Sequence, residues 1–206
     1  MKILLTGFTA FGQEATNPSW DLINQSDLGK FAAEIQTLEI ETVYRKSRDI
    51  LEDKLLEFKP DLVLLFGQAG GRTAISVERI AINVNDSRAA DNSGEILTDE
   101  VIFADGPAAY FSTLDYKEIV NTLRTAKIPA YVSDTAGTYV CNNLFYTLMY
   151  LSDKHDLPIS GGFIHVPFEH GQVLGRSNQP SMSLDTMTHA CELIIEYYLN
   201  KEDINV

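Results

Sequence analysis

A chain of 206 residues is the size of one α/β domain and can bury a sizeable core without a disulfide or metal staple. Its 16 Lys and Arg against 29 Asp and Glu give a net charge of −13. That balance argues against a nucleic-acid binder, gives no attraction to anionic membranes, and is explained by solubility.

The first segment, MKILLTG, is apolar but too short for a signal peptide, and no run reaches transmembrane length. The two cysteines, Cys141 and Cys191, are far apart in a chain that needs no staple, which fits free thiols. The expected location is cytoplasmic.

In chain order, 3–5 reads as a buried strand ended by Thr6-Gly7, and the loop behind it carries two aromatic rings, Phe8 and Phe11. Asn17-Pro18-Ser19 is a helix start, with proline in the first turn. A strand is expected over 34–43, a helix over 47–58, and a second wholly apolar strand over 61–66 before the loop GQAGG. Residues 76–84 alternate as one strand. Residues 85–108 are polar and turn-rich, a long loop of the kind that is often functional. A helix over 116–126, strands over 130–133 and 162–166, and an apolar helix over 139–151 follow. Met187, Ala190, Cys191, Ile194 and Tyr198 form the inward stripe of a C-terminal helix. Strands alternating with helices, with interior strands apolar on both faces, predict a single-domain three-layer α/β/α sandwich around a mostly parallel, mixed sheet. Ligands gather at the carboxyl ends of the strands in such folds.

Three residues could carry chemistry. Cys141 falls in the first turn of the helix after SDTAGTY, where backbone N–H groups and the helix dipole favour a thiolate and could hold an oxyanion. The competing reading is an inert buried cysteine. His165, near the end of the strand GFIHV, is either a hydrogen-bonded core histidine or a base facing Cys141. Glu78 interrupts the apolar strand SVERIAIN. A buried carboxylate there either orients an imidazole or pairs with an arginine, Arg72, Arg79 or Arg88. GFTAFG has the glycine spacing of a P-loop without its Lys-Ser/Thr, GQAGGR is a weak candidate anion nest, and no zinc spacing or dinucleotide fingerprint occurs. No metal and no cofactor are expected.

The segments LLTGFTAFG with NPSW behind it, GQAGGR, SVERIAIN, PAAYFSTL, SDTAGTYVCNNLFY and GFIHVPF together resemble the pyroglutamyl-peptidase I, or pyrrolidone-carboxylate peptidase, family of cysteine peptidases. Their order and spacing cover nearly the whole chain. The resemblance implies one catalytic domain over residues 1–206, a Glu–Cys–His triad at Glu78, Cys141 and His165, no metal or cofactor, and commonly a homotetramer. It implies removal of an N-terminal pyroglutamyl (5-oxoproline) residue from peptides, through a thioester. Phe8 and Phe11 would hold the lactam ring, with Tyr139 and Val140 as the other wall. Gln68 and Arg88 would lie near the site and its oxyanion, and Asn17 would fix the first loop. Two departures stand out: Ala89-Ala90 replaces a larger apolar residue and proline, and Tyr139 adds a hydroxyl where phenylalanine is also seen. Two rival readings remain at this level. One is an inactive relative that only binds blocked peptide ends; the other is a phosphate- or nucleoside-handling α/β/α enzyme using GQAGGR.

Overall fold

The computed structural model describes residues 1–204. Its elements are β1 (Lys2–Phe8), α1 (Pro18–Gln25), β2 (Glu34–Ile40), α2 (Tyr44–Phe58), β3 (Leu62–Gln68), β4 (Ile75–Glu78), β5 (Ile80–Ile82), β6 (Ala109–Phe111), α3 (Tyr116–Thr125), β7 (Ala130–Ser133), α4 (Val140–Lys154), β8 (Ser160–Val166), β9 (Phe168–Glu169), β10 (Ser181–Met182) and α5 (Leu184–Ile204). Short 3-10 turns lie at Leu28–Lys30 and His170–Val173.

Six strands form the central sheet in the order β2-β1-β3-β8-β4-β7. Successive side chains of a strand point to opposite faces, so wholly apolar strands feed two cores. Ile3 and Leu5 of β1, with Leu62, Leu64 and Phe66 of β3, pack with α1, α3 and α5 on one face. Leu4, Phe8, Val63 and Leu65 pack with α2 and α4 on the other. The result is the three-layer α/β/α sandwich. Among the described residues no helix is long and apolar enough to cross a membrane.

The strands β2, β1, β3 and β8 are mutually parallel. β4 runs antiparallel to β8, and β7 follows β4 in parallel. The chain leaves β1 outward to β2 and returns to β3, so the crevice between the ends of β1 and β3 is a topological switch point.

Several boundaries differ from those read in the sequence. β1 continues through Phe8, which therefore ends a strand rather than sitting in a loop, and β3 continues through Gly67 and Gln68. β2 stops at Ile40, and α2 begins at Tyr44, whose backbone N–H is received by the Asp91 carboxylate at 3.1 Å. The run 76–84 is two strands, not one. β4 joins the central sheet, whereas β5 pairs with β6 in a separate antiparallel ribbon, with Arg79 between them. The excursion 85–108 has only an isolated bridge between Asn85 and Glu100. Asn83 anchors it: its side-chain oxygen accepts the backbone N–H groups of Ile102 and Phe103 at 2.9 and 3.0 Å.

Candidate active site

The loop from β7 to α4 is shaped by its own hydroxyls. Ser133 Oγ donates to the Thr135 carbonyl at 3.1 Å, and Thr135 Oγ1 accepts the Gly137 N–H at 3.0 Å. These side-chain turns hold the small residues that deliver Cys141 to the first turn of α4. Asn142 then clamps that turn to β5, accepting the Ile82 N–H at 3.0 Å and donating to the Ile82 carbonyl at 2.8 Å. Cys141 is half-buried, whereas Cys191 is wholly buried in the core against α5's neighbours; both are free thiols.

Gly67 makes room for the Cys141 sulfur. A Cβ at Gly67 would stand 3.2 Å from that sulfur and 2.6 Å from the Phe163 ring. In the register of β3 and β8, Gly67 lies opposite His165. The thiol thus sits over the residue beside the imidazole.

His165 Nδ1 lies 2.7 Å from Glu78 Oε1, and the Phe163 ring packs against the imidazole with centroids 4.7 Å apart. Glu78 is completely buried. Its Oε1 also receives Arg72 Nη1 at 2.6 Å, while Arg72 Nη2 donates to the Thr135 carbonyl at 3.0 Å. Both readings of Glu78 are therefore realised at once: it touches the imidazole and pairs with an arginine, Arg72. Arg79 pairs instead with Asp134 at 3.1 Å, and Arg88 stands exposed on the long loop.

The charges follow from this packing. Burial alone would raise the Glu78 carboxyl. The His165 hydrogen bond and charge, Ser133 and the Arg72 guanidinium outweigh it and leave the group below the usual carboxylate range. Burial pushes the His165 imidazole below its ordinary value, against the pull of Glu78 and with the help of Arg72. Burial and the Glu78 charge push the Cys141 thiol up to about 12, despite Arg72 and the helix N-terminus. Desolvation thus works against the thiolate that the helix N-terminus favours. The negative charge on Glu78 is matched by Arg72.

Beside the thiol lies a small, mostly apolar cleft of about 40 Å³, lined by Phe8, Phe11, Asn17, Thr42, Gln68, Tyr139 and Cys141. It occupies the switch point between β1 and β3. Phe8 is both core and wall, packed on Phe163 with centroids 6.3 Å apart. Phe11 faces Tyr139 across 6.4 Å. Asn17 caps α1 by accepting the Ser19 N–H at 3.1 Å and donates to the Thr9 carbonyl at 3.0 Å, which ties down the first loop. Gly7 permits this: a Cβ there would strike the Ser19 carbonyl oxygen at 2.4 Å.

The sequence profile of pyroglutamyl peptidase matches residues 1–201. The chain belongs to the pyroglutamyl peptidase family. Members of this family are cysteine peptidases that remove an N-terminal pyroglutamyl residue, and this chain is such a hydrolase. It is 47% identical over 201 residues to a pyrrolidone-carboxylate peptidase of Thermosipho africanus, covering 98% of each chain. The crystal structure of pyroglutamyl peptidase I from Bacillus amyloliquefaciens superposes with a TM-score of 0.90 at 44% identity, covering 94% of this chain and 92% of that one. The pyrrolidone carboxyl peptidase of Fervidobacterium islandicum superposes with a TM-score of 0.94 at 36% identity, over 97% and 99% of the two chains.

Of the residues read from sequence against this family, Glu78 and His165 are in contact, and Cys141 shares the cleft with Phe8, Phe11, Asn17, Gln68 and Tyr139. Val140 is fully buried in the core rather than in the cleft lining, and Arg88 lies outside that lining. The added hydroxyl of Tyr139 finds its partner in the Ala90 carbonyl at 2.9 Å, so the two departures from the family pattern meet. Thr42 of the cleft went unread in the sequence. Arg72 was weighed as one of three possible partners of Glu78, with no signal in its spacing to single it out.

Proposed function

We propose that Cys141, His165 and Glu78 hydrolyse the bond after an N-terminal pyroglutamyl residue by acyl transfer, in a single catalytic domain formed by residues 1–206. The observation that carries this is the contact of His165 Nδ1 with Glu78, combined with the Cys141 sulfur over the residue paired to His165. With Nδ1–H donated to Glu78, the lone pair of His165 Nε2 is free to take the thiol proton. The sulfur then bonds to the pyroglutamyl carbonyl carbon, and the carbonyl electrons move onto oxygen. The Cys141 N–H, unspent in the first turn of α4, faces that oxyanion; one such donor contributes about 3 kcal/mol to the transition state. Arg88, on the loop that carries Ala90, is the second candidate donor. Collapse of the intermediate breaks the C–N bond, and the imidazolium protonates the departing amine. Water, deprotonated by His165, cleaves the thioester, releases pyroglutamate and restores the thiol.

The cleft supports the substrate choice. None of the side chains lining it is a carboxylate or a cation. A neutral lactam enters such a site at little cost, whereas the ammonium of an ordinary N-terminus would lose its hydration without a partner. The partners are peptides with a pyroglutamyl N-terminus. Family likeness supports a homotetramer, the two free thiols support a cytoplasmic protein, and the acidic charge of −13 argues against binding nucleic acid or anionic membranes. A pyroglutamyl amide is expected to be cleaved with kcat/KM about three orders of magnitude above the matching prolyl amide, which has the same ring but a charged nitrogen. Equal rates on the two would contradict this reading.

A further inference from the structure

The first loop and the segment after β8 meet at Gln172, in the turn His170–Val173. Its amide is fixed at both ends. Gln172 Oε1 accepts the Glu169 backbone N–H at 2.8 Å, a role only the oxygen can fill. The other end, Nε2, donates to Gln68 Oε1 at 2.9 Å, to Glu14 Oε2 at 3.2 Å and to the Thr16 carbonyl at 3.4 Å. Glu14 is in turn held by Arg176 at 2.6 Å. A carboxylate and a carbonyl can only accept, so Gln172 must turn its NH2 toward them. Gln68 can then meet it only through its own oxygen. Among the described residues the NH2 group of Gln68 has no protein partner, on a side chain that lines the cleft beside Cys141.

The other polar side chains of the cleft have bonds elsewhere. Asn17 gives its amide to Thr9, Thr42 gives its hydroxyl to the same carbonyl at 3.4 Å, and Tyr139 gives its hydroxyl to Ala90. A lactam ring entering this cleft brings one strong acceptor, its ring carbonyl.

We propose that Gln172 is a positioning residue: through Glu14 and Thr16 it locks the Gln68 amide so that its NH2 points into the cleft and binds the ring carbonyl of the pyroglutamyl group. This rests on the pyroglutamyl reading of the site. A Gln68 free to rotate would offer its oxygen to that carbonyl in part of the population and repel it.

The test is protection of Cys141 from alkylation by iodoacetamide, with 2-pyrrolidone as the probe, in wild type, Gln172→Leu and Glu14→Gln. Leucine cannot donate. In Gln172→Leu the concentration of 2-pyrrolidone giving half-protection is expected to rise about tenfold, one hydrogen bond's worth. The alkylation rate without 2-pyrrolidone is expected to stay at the wild-type value. Glu14→Gln weakens one of the anchors of the Gln172 NH2, while the Glu169 N–H and the Thr16 carbonyl still hold its orientation, and a smaller rise in the same direction is expected. KM for a pyroglutamyl amide should rise in step, with kcat changing much less. Unchanged half-protection in both variants overturns the proposal. So does a change in the unprotected alkylation rate that matches the loss of protection, since that marks general disorder of the site. Should Gln172→Leu fail to fold, Glu14→Gln alone decides between the same two results. If 2-pyrrolidone fails to protect the wild type, the pyroglutamyl reading is what falls.

Discussion

His165 and Arg72 meet on one oxygen atom: Glu78 Oε1 lies 2.7 Å from the imidazole Nδ1 and 2.6 Å from the guanidinium. The two cationic candidates are therefore separated by no more than the two bonds laid end to end. A buried carboxylate shared in this way needs its permanent cation, because an unmatched buried charge costs on the order of 3–5 kcal/mol. Arg72 supplies it at every working pH, which leaves His165 free to be neutral and act as a base.

Glu78→Gln should keep the shape of the site and lose its electrostatics. An amide can hold either tautomer of His165 and stabilises the imidazolium poorly. The expected result is a fall in kcat of about three orders of magnitude with KM close to wild type, since Glu78 does not line the cleft. Steady-state kinetics on a pyroglutamyl amide reads both numbers. A rise in KM with kcat preserved would move Glu78 from catalysis to binding.

Arg72→Met should be seen in the pH profile. The charged groups that act on His165 are Glu78 from β4 and Arg72 from the loop after β3, while Asp134 is engaged by Arg79. Burial and Arg72 hold the imidazole below its ordinary value, so the acid limb of wild-type kcat/KM lies below about pH 6.5. Removing the cation leaves burial alone to oppose the pull of Glu78. His165 then keeps its proton to higher pH, and the acid limb moves up. Arg72→Lys retains the charge and should hold the limb near its wild-type position. A uniform loss at all pH values, with the limb unmoved, would contradict this assignment.

Gly67→Ala probes the seat of the nucleophile. The new methyl group would lie 2.6 Å from the Phe163 ring, which is fully buried between Phe8 and Phe145 and has little room to yield. It would also stand 3.2 Å from the Cys141 sulfur. Overpacking of this kind costs about 1–3 kcal/mol, and a displaced nucleophile loses about a hundredfold in rate. Thermal unfolding and kcat should both fall. A variant with wild-type values of both would mean that the sulfur does not rest where the structure has it.

The layers of the fold were legible because β1, β3 and β8 are apolar on both faces, a pattern that only a covered sheet explains. Strand direction was not: nothing in the local sequence of Ile75–Glu78 says that it runs against β8. The break after Glu78 was hidden for a related reason, since β4 and β5 share one alternating pattern and part only through pairing to different sheets. Glu78 itself was conspicuous as a charge inside an apolar strand. Its arginine was not, because Arg72, Arg79 and Arg88 are equivalent in sequence and only the folding of the β3–β4 loop selects the first. Gln172 and Glu14 left no trace at all, being ordinary polar residues in polar loops. The folded chain brings them together beside Gln68.

The central claim, that Cys141 is the nucleophile of a pyroglutamyl peptidase, is tested most directly by hydrolysis of a fluorogenic pyroglutamyl amide by wild type and by Cys141→Ala. Wild-type turnover with none above background in Cys141→Ala, at unchanged thermal stability, is the predicted result. Turnover that survives the substitution would contradict the account.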